Sequence, residues 1–207
     1  MKKFSLFCMF GALLVTLPLS ANAQGNREAA KLTREGADAL KSKDYDKAVD
    51  LFRRAAEMDR RNAPGFAAAL QQRAMARVGQ QQYQQAIDDF NMAQAIMPDD
   101  PGIYERRAYA ELKLGDYDHA LGDYNELIKR KPNEVRYYLL RSYIYEVKAD
   151  FANGIADCDK VLQMQKNNQE AKARKQRMQT AQQQQVQPTP PGPITPPQQP
   201  VQPPKKP

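Results

Sequence analysis

Tryptophan is absent from the 207 residues, histidine occurs once and cysteine twice. The first cysteine, Cys8, lies in an apolar leader. Cys158 is then the single thiol of the remaining chain, and neither an internal disulfide nor a redox pair can form. A structural zinc site, which takes about four Cys and His ligands, is excluded by the same count. The lone His119 has no partner that the sequence identifies as its acid or base, and it reads as an exposed structural residue. Cys158 falls at a packing position and reads as a small buried hydrophobe. No glycine-rich phosphate loop occurs among the 10 glycines. Asp88-Asp89, Asp99-Asp100 and Asp157 with Asp159 lack the glycine turn and ligand spacing of a calcium loop, and read as capping or solvated carboxylates. Catalytic residues, a bound metal and a cofactor are therefore not expected, and the chain is read as a non-enzyme.

Long hydrophobic runs are also scarce, with one exception at the start. Met1-Lys2-Lys3 is followed by an apolar stretch from Phe4 to Leu19 and by the small-residue pattern Ala21-Asn22-Ala23. This is the layout of a cleaved export signal spanning 1–23, with Gln24 as the first mature residue. The stretch is short for a membrane anchor and is broken by Pro18. Phe7 is too large to precede a lipid-modified Cys8. The short Lys-Lys signal and the absence of mature disulfides point to the bacterial periplasm. Loss of Lys2 and Lys3 with the leader lowers the formal charge from +7 to +5. Part of the excess lies in Lys166, Lys172, Arg174, Lys175 and Arg177, with Glu170 the only acid among them. Such a cluster is first a solvated helix face, and otherwise a surface for anionic partners.

Four segments repeat: Asp44-Tyr45-Asp46-Lys47-Ala48, Gln82-Tyr83-Gln84-Gln85-Ala86, Asp116-Tyr117-Asp118-His119-Ala120 and Asp150-Phe151-Ala152-Asn153-Gly154. Their aromatic positions are separated by 38, 34 and 34 residues, the longer step being taken up by turn residues around Arg60-Arg61-Asn62-Ala63-Pro64. Asp44, Asp116 and Asp150 stand where a side chain caps a helix, and Asp100-Pro101 and Asn133 after Pro132 mark further helix starts.

Around these segments the second repeat carries Ala74, Tyr83, Ala86, Phe90, Ala93 and Pro98. The third carries Ala108, Tyr117, Ala120, Tyr124, Leu127 and Pro132. The first keeps Gly36, Tyr45, Ala48, Phe52 and Ala55, and the fourth Ser142, Phe151 and Gly154. Small residues at these places let two helices approach closely, while the aromatics wedge between neighbours. With its 34-residue period the pattern resembles the tetratricopeptide repeat family over residues 29 to 168. Cys158, Val161 and Lys166 depart from it, so the fourth repeat reads as a degenerate terminal copy.

The resemblance implies an all-α fold, a right-handed solenoid of about four helical hairpins over 24–167. A capping helix is expected over 168–185, since a solenoid needs a polar end, and a disordered Pro/Gln-rich tail over 186–207. It also implies that the first helix of each hairpin, helix A, lines a concave groove that binds a partner protein or peptide. Helical spacing places Met75, Arg106, Tyr109, Lys113, Arg136, Leu140 and Tyr143 there. Some relatives grip a terminal carboxylate with basic and amide side chains on successive A helices. The corresponding residues here are Thr33, Ala37, Gln72, Gly102 and Arg106, of which only Arg106 fits. The expectation is a scaffold or adaptor of the bacterial envelope. The alternative is a binder of an anionic polymer, lipid surface or nucleic acid through the basic segment 166–177.

Overall fold

The structure, a computed structural model, describes residues 19–186. The expected leader as far as residue 18 and the Pro/Gln-rich tail from 187 lie outside the described residues. Among the described residues there are nine α-helices and no strand: α1 (Leu19–Lys41), α2 (Tyr45–Met58), α3 (Ala63–Gly79), α4 (Tyr83–Ile96), α5 (Pro101–Leu114), α6 (Tyr117–Arg130), α7 (Val135–Val147), α8 (Phe151–Met164) and α9 (Gln169–Val186). A single 3-10 turn, Arg60–Asn62, accounts for the longer first step of the repeat. No described helix is long and apolar enough to cross a membrane. The fold class is all-α, built of successive helical hairpins, as the repeat pattern predicts.

The hairpin turns share one backbone solution. Lys43, Gln81, Gly115 and Ala149, each two residues before a helix-opening aromatic, have φ of 61°, 61°, 84° and 57°. The left-handed residue lets the next amide reach back six residues, from Asp44 to the Ala39 carbonyl, Gln82 to Arg77, Asp116 to Glu111 and Asp150 to Tyr145, at 2.9 Å in all four. Only the third turn uses glycine, so the other three hold a side chain in a region L-residues disfavour. Asp44, Asp116 and Asp150 then cap the following helix through the amides of Lys47, His119 and Asn153. The start of α7 differs from expectation: Glu134, not Asn133, accepts from the Arg136 amide, because the turn after Pro132 is one residue longer before helical geometry begins.

The chain divides into two compact units, Met1–Asp123 and Tyr124–Pro207, with the division falling inside α6. In the first unit α1 to α5 pack in sequence, around a core that includes Phe52, Leu70, Ala74, Phe90 and Ile103. The Phe52 ring is clasped between α1 and α3 so closely that a Cβ at either Gly36 or Gly65 would stand 2.9 Å from a ring carbon. In the second unit α9 packs on α8 and α7 and buries Ala171 and Met178 against Cys158 and Val161. Cys158 is free and buried, and burial pushes its thiol above the usual range.

A polar ladder, absent from the sequence-level reading, recurs in both units. Arg73 of α3 donates from Nε and Nη2 to both oxygens of Asp89 on α4, at 2.9 and 2.7 Å. Arg107 does the same to Asp123 at 2.9 and 2.6 Å. In the second unit Arg141 repeats it on Asp157 at 2.8 and 2.6 Å. The third guanidinium nitrogen of each turns back to the preceding helix B: Arg73 to Asp46, Arg107 to Asn91 and Arg141 to Asn125. Asp89, Asp123 and Asp157 are only 2%, 5% and 5% exposed. Two of the carboxylates expected to be capping or solvated, Asp89 and Asp157, are therefore the buried members of ion pairs. The adjacent Asp88 is exposed, because one step along a helix turns a side chain by about a quarter of the circumference.

Breaking a buried pair strands its partner, at a cost of about 3 kcal/mol or more. Asp89→Ala is expected to lower unfolding stability by about that amount in urea titration, whereas the neighbouring Asp88→Ala stays within about 0.5 kcal/mol of the parent.

Candidate functional site

The candidate surface is built from the A helices, whose positions recur every 34 residues. Position 75 of α3, 109 of α5 and 143 of α7 carry Met, Tyr and Tyr, and they are 43%, 45% and 40% exposed. Their neighbours one step along, Ala74, Ala108 and Ser142, are fully buried against the helix B partners. The same register that anchors a small residue thus turns a large apolar one outward.

In the first unit Met75 and Arg106 line a cavity of about 380 Å³ together with Ala68, Gln71 and Gln72. Arg106 donates to the Gln71 side-chain oxygen, and Gln71 in turn donates to Asp100 at 3.4 Å. The Lys113 ammonium lies 5.5 Å from the Tyr109 ring centroid. Thr33, at the matching face of α1, spends its hydroxyl on the Ala29 carbonyl. In the second unit Arg136 is exposed and Leu140 half-buried, and the Tyr143 ring receives the Arg174 guanidinium at 5.4 Å. The expected residues Met75, Arg106, Tyr109 and Lys113 therefore belong to the first unit, and Arg136, Leu140 and Tyr143 to the second.

The basic segment does not present the free charge its sequence suggests. Arg174 is 8% exposed, bonds Glu170 at 2.8 Å and lies 3.5 Å from Glu146. Arg177 pairs with Glu146 at 2.8 Å and Lys175 with Asp159. Glu146 and Asp159 come from α7 and α8, so the local sequence, in which Glu170 is the only acid, could not reveal them. His119 is exposed, and its bond of 2.7 Å to Asp116 raises its pKa. Among the described residues no group of three or more His, Cys, Asp or Glu side chains could hold a metal ion.

One titratable group escaped the sequence reading altogether. Glu111 of α5 is 3% exposed, and its Oε2 has no hydrogen-bond partner among the described residues. Burial first, then the nearby Asp123, pushes its carboxyl up to about 7, against a weaker pull from Arg107. Its signal in the sequence is an inversion of charge, since 34 residues earlier the same position holds Arg77.

The sequence profile of the tetratricopeptide repeat matches residues 33–101 and 106–170. The chain belongs to the tetratricopeptide repeat family. No curated protein sequence matches it. Among solved structures, a tetratricopeptide repeat protein from Parabacteroides merdae is 22% identical, with a TM-score of 0.59, covering 75% of this chain and 61% of that one. YrrB, described as a tetratricopeptide repeat protein with an unusual peptide-binding site, is 13% identical with a TM-score of 0.60, covering 80% and 84%. The first tetratricopeptide domain of Spaghetti (RPAP3), bound to the HSP90 peptide SRMEEVD, is 22% identical with a TM-score of 0.51, covering 56% and 93%. At these identities the likeness is one of fold. Tetratricopeptide repeats are in general non-enzymatic interaction modules.

Glu111 makes this repeat array pH-sensitive in a defined direction. The folded chain keeps its proton to about pH 7, whereas an ordinary glutamate loses it near 4.5, so the folded state binds more protons between these values. Stability conferred by the neutral form is lost as pH rises through that window. Glu111→Gln is expected to flatten the dependence and to melt roughly 3 °C above the parent at pH 8, with the gap closing at pH 4.5, in thermal scans followed by circular dichroism. His119 titrates in both chains and cancels in the comparison.

Proposed function

We propose that this is a non-enzymatic scaffold or adaptor of the bacterial envelope whose A-helix surfaces take a partner protein or peptide. The observation that carries the reading is the periodic outward turn of Met75, Tyr109 and Tyr143. Single exposed apolar side chains are ordinary on protein surfaces. Three at the same repeat position are a pattern, and two of them hold a cation over the ring. Aromatic and Arg side chains are the types that most often dominate binding energy when a partner desolvates them. The peptide held by the RPAP3 domain supports the same use of the fold. The alternative, an anionic partner on the basic segment, is weakened by the ion pairs that occupy Arg174, Lys175 and Arg177.

A partner captured from envelope extract and then purified should bind with little loss at high salt, because apolar contacts are not screened. Met75→Ala or Tyr109→Ala in the first unit, and Tyr143→Ala in the second, should each weaken it about tenfold where that unit is engaged. Wild-type affinity in the folded triple variant would remove this reading, and loss of binding at high salt alone would favour the anionic alternative.

Export is part of the proposal. Its support is the leader pattern together with the pattern of burial in α1, where side chains from Gln24 to Glu28 are exposed or half-buried and full burial begins at Ala29. Cleavage after Ala23 would therefore leave the described core intact. Intact mass of the protein recovered from the periplasm should correspond to a chain beginning at Gln24, and recovery of the uncut chain from the cytoplasm would contradict export.

A further inference from the structure

The ladder pairs charge evenly in one hairpin and unevenly in the next. Asp89 accepts from two guanidiniums, Arg73 and Arg77, the latter at 2.7 Å. Thirty-four residues on, Asp123 keeps the equivalent of the first, Arg107, while the equivalent of the second is Glu111. A cation has been replaced by an anion beside a buried carboxylate. The Glu111 Oε1 stands 3.7 Å from Arg107 Nε, too far for a hydrogen bond, and Oε2 is buried without a partner among the described residues. An unpaired buried acceptor of this kind is expensive and calls for a donor.

Space for that donor lies directly against it. Glu111 lines a cavity of about 410 Å³ whose walls come from α4 and α6, with Ile87 and Asn91 on one side and His119 and Gly122 on the other. Its lining includes four carboxylates, those of Glu111, Asp116, Asp118 and Asp123, against one guanidinium and one imidazole. A Cβ added at Gly122 would meet nothing within 4 Å, so the wall is open there. The absence of a metal-ligating group of three among the described residues argues against a bare divalent ion. An apolar stem against Ile87 and a planar, two-donor head at Glu111 describe an arginine side chain, whose fork matches a carboxylate better than an ammonium does.

We propose that the cavity over Glu111 is a receptor pocket for an arginine side chain of a partner protein, in which the incoming guanidinium takes the role that Arg77 plays one repeat earlier. The pocket is walled by α4 and α6 and shares no lining residue with the Met75 surface except through its helix α5, so it does not depend on the reading given above. Occupancy neutralises the excess negative charge and supplies the donor that Oε2 lacks. Protonation of Glu111 and of His119 as pH falls below about 7 opposes it, one by removing the acceptor's charge and the other by adding a cation at the rim.

The test uses the purified isotopically labelled chain, titrated with a short acetylated peptide amide containing one arginine, and followed through the Gly122 and His119 amide signals. Citrulline and lysine versions of the peptide serve as the neutral isostere and the ammonium. Saturable shifts with arginine, and binding weaker by about tenfold with citrulline, are expected, since the charge-assisted bonds are lost. Glu111→Gln should weaken the arginine peptide by about the same factor while leaving the remainder of the spectrum unchanged. Gly122→Leu fills the cavity without touching the ladder and should abolish the shifts. Equal affinity for citrulline or lysine, or wild-type affinity in both folded variants, would overturn the pocket.

Discussion

A bidentate clasp between one arginine on helix A and one buried aspartate on helix B sets the register of these hairpins. Small residues allow the two helices to touch, but an alanine-lined contact tolerates sliding. A guanidinium that must meet two carboxylate oxygens at 2.6 to 2.9 Å does not, because a slip of one residue moves the partner by about 1.5 Å along the axis. The third nitrogen reaches the helix B that precedes, so the same side chain also aligns one hairpin with the last. Replacing such a pair by apolar residues need not lose stability, and its contribution is read here as one of specificity.

The function follows from what the clasp leaves free. Once Arg73, Arg107 and Arg141 are committed inward and Ala74, Ala108 and Ser142 packed, helical geometry turns positions 75, 109 and 143 outward. Surface chemistry at those positions is then open to change without disturbing the core, which is why a shared fold reports so little about a partner. The Glu111 pocket is a second product of the same register. There the ladder position that completes one hairpin is occupied by the opposite charge in the next.

Helix α9 continues the ladder by other means. Lys175 lies 34 residues after Arg141 and bonds Asp159, as Arg141 bonds Asn125 sixteen residues before itself. It thus behaves as the helix A of a further repeat, and its buried Ala171 and Met178 cover the last hairpin. The unpaired Arg174 nitrogens, over the Tyr143 ring and near Glu146, show that this cover is packed less completely than the repeats it follows.

The all-α fold and the number of hairpins were legible in the chain by itself, because they depend on local features: helix-opening aromatics at a 34-residue period, small residues at helix crossings, and aspartates one step before each helix B. The capping of α7 was misplaced by one residue because the turn after Pro132 is set by backbone geometry that residue type does not reveal. Asp89 and Asp157 were read as solvated or capping since a carboxylate's burial depends on a cation sixteen residues away, outside any local pattern. The apparent basic surface of residues 166–177 is largely neutralised for the same reason, its acids arriving from α7 and α8. Sequence periodicity determined which residues share a helix face. Only the tertiary structure decided which charges meet, because pairing energy depends on distance and burial between helices and not on position along them.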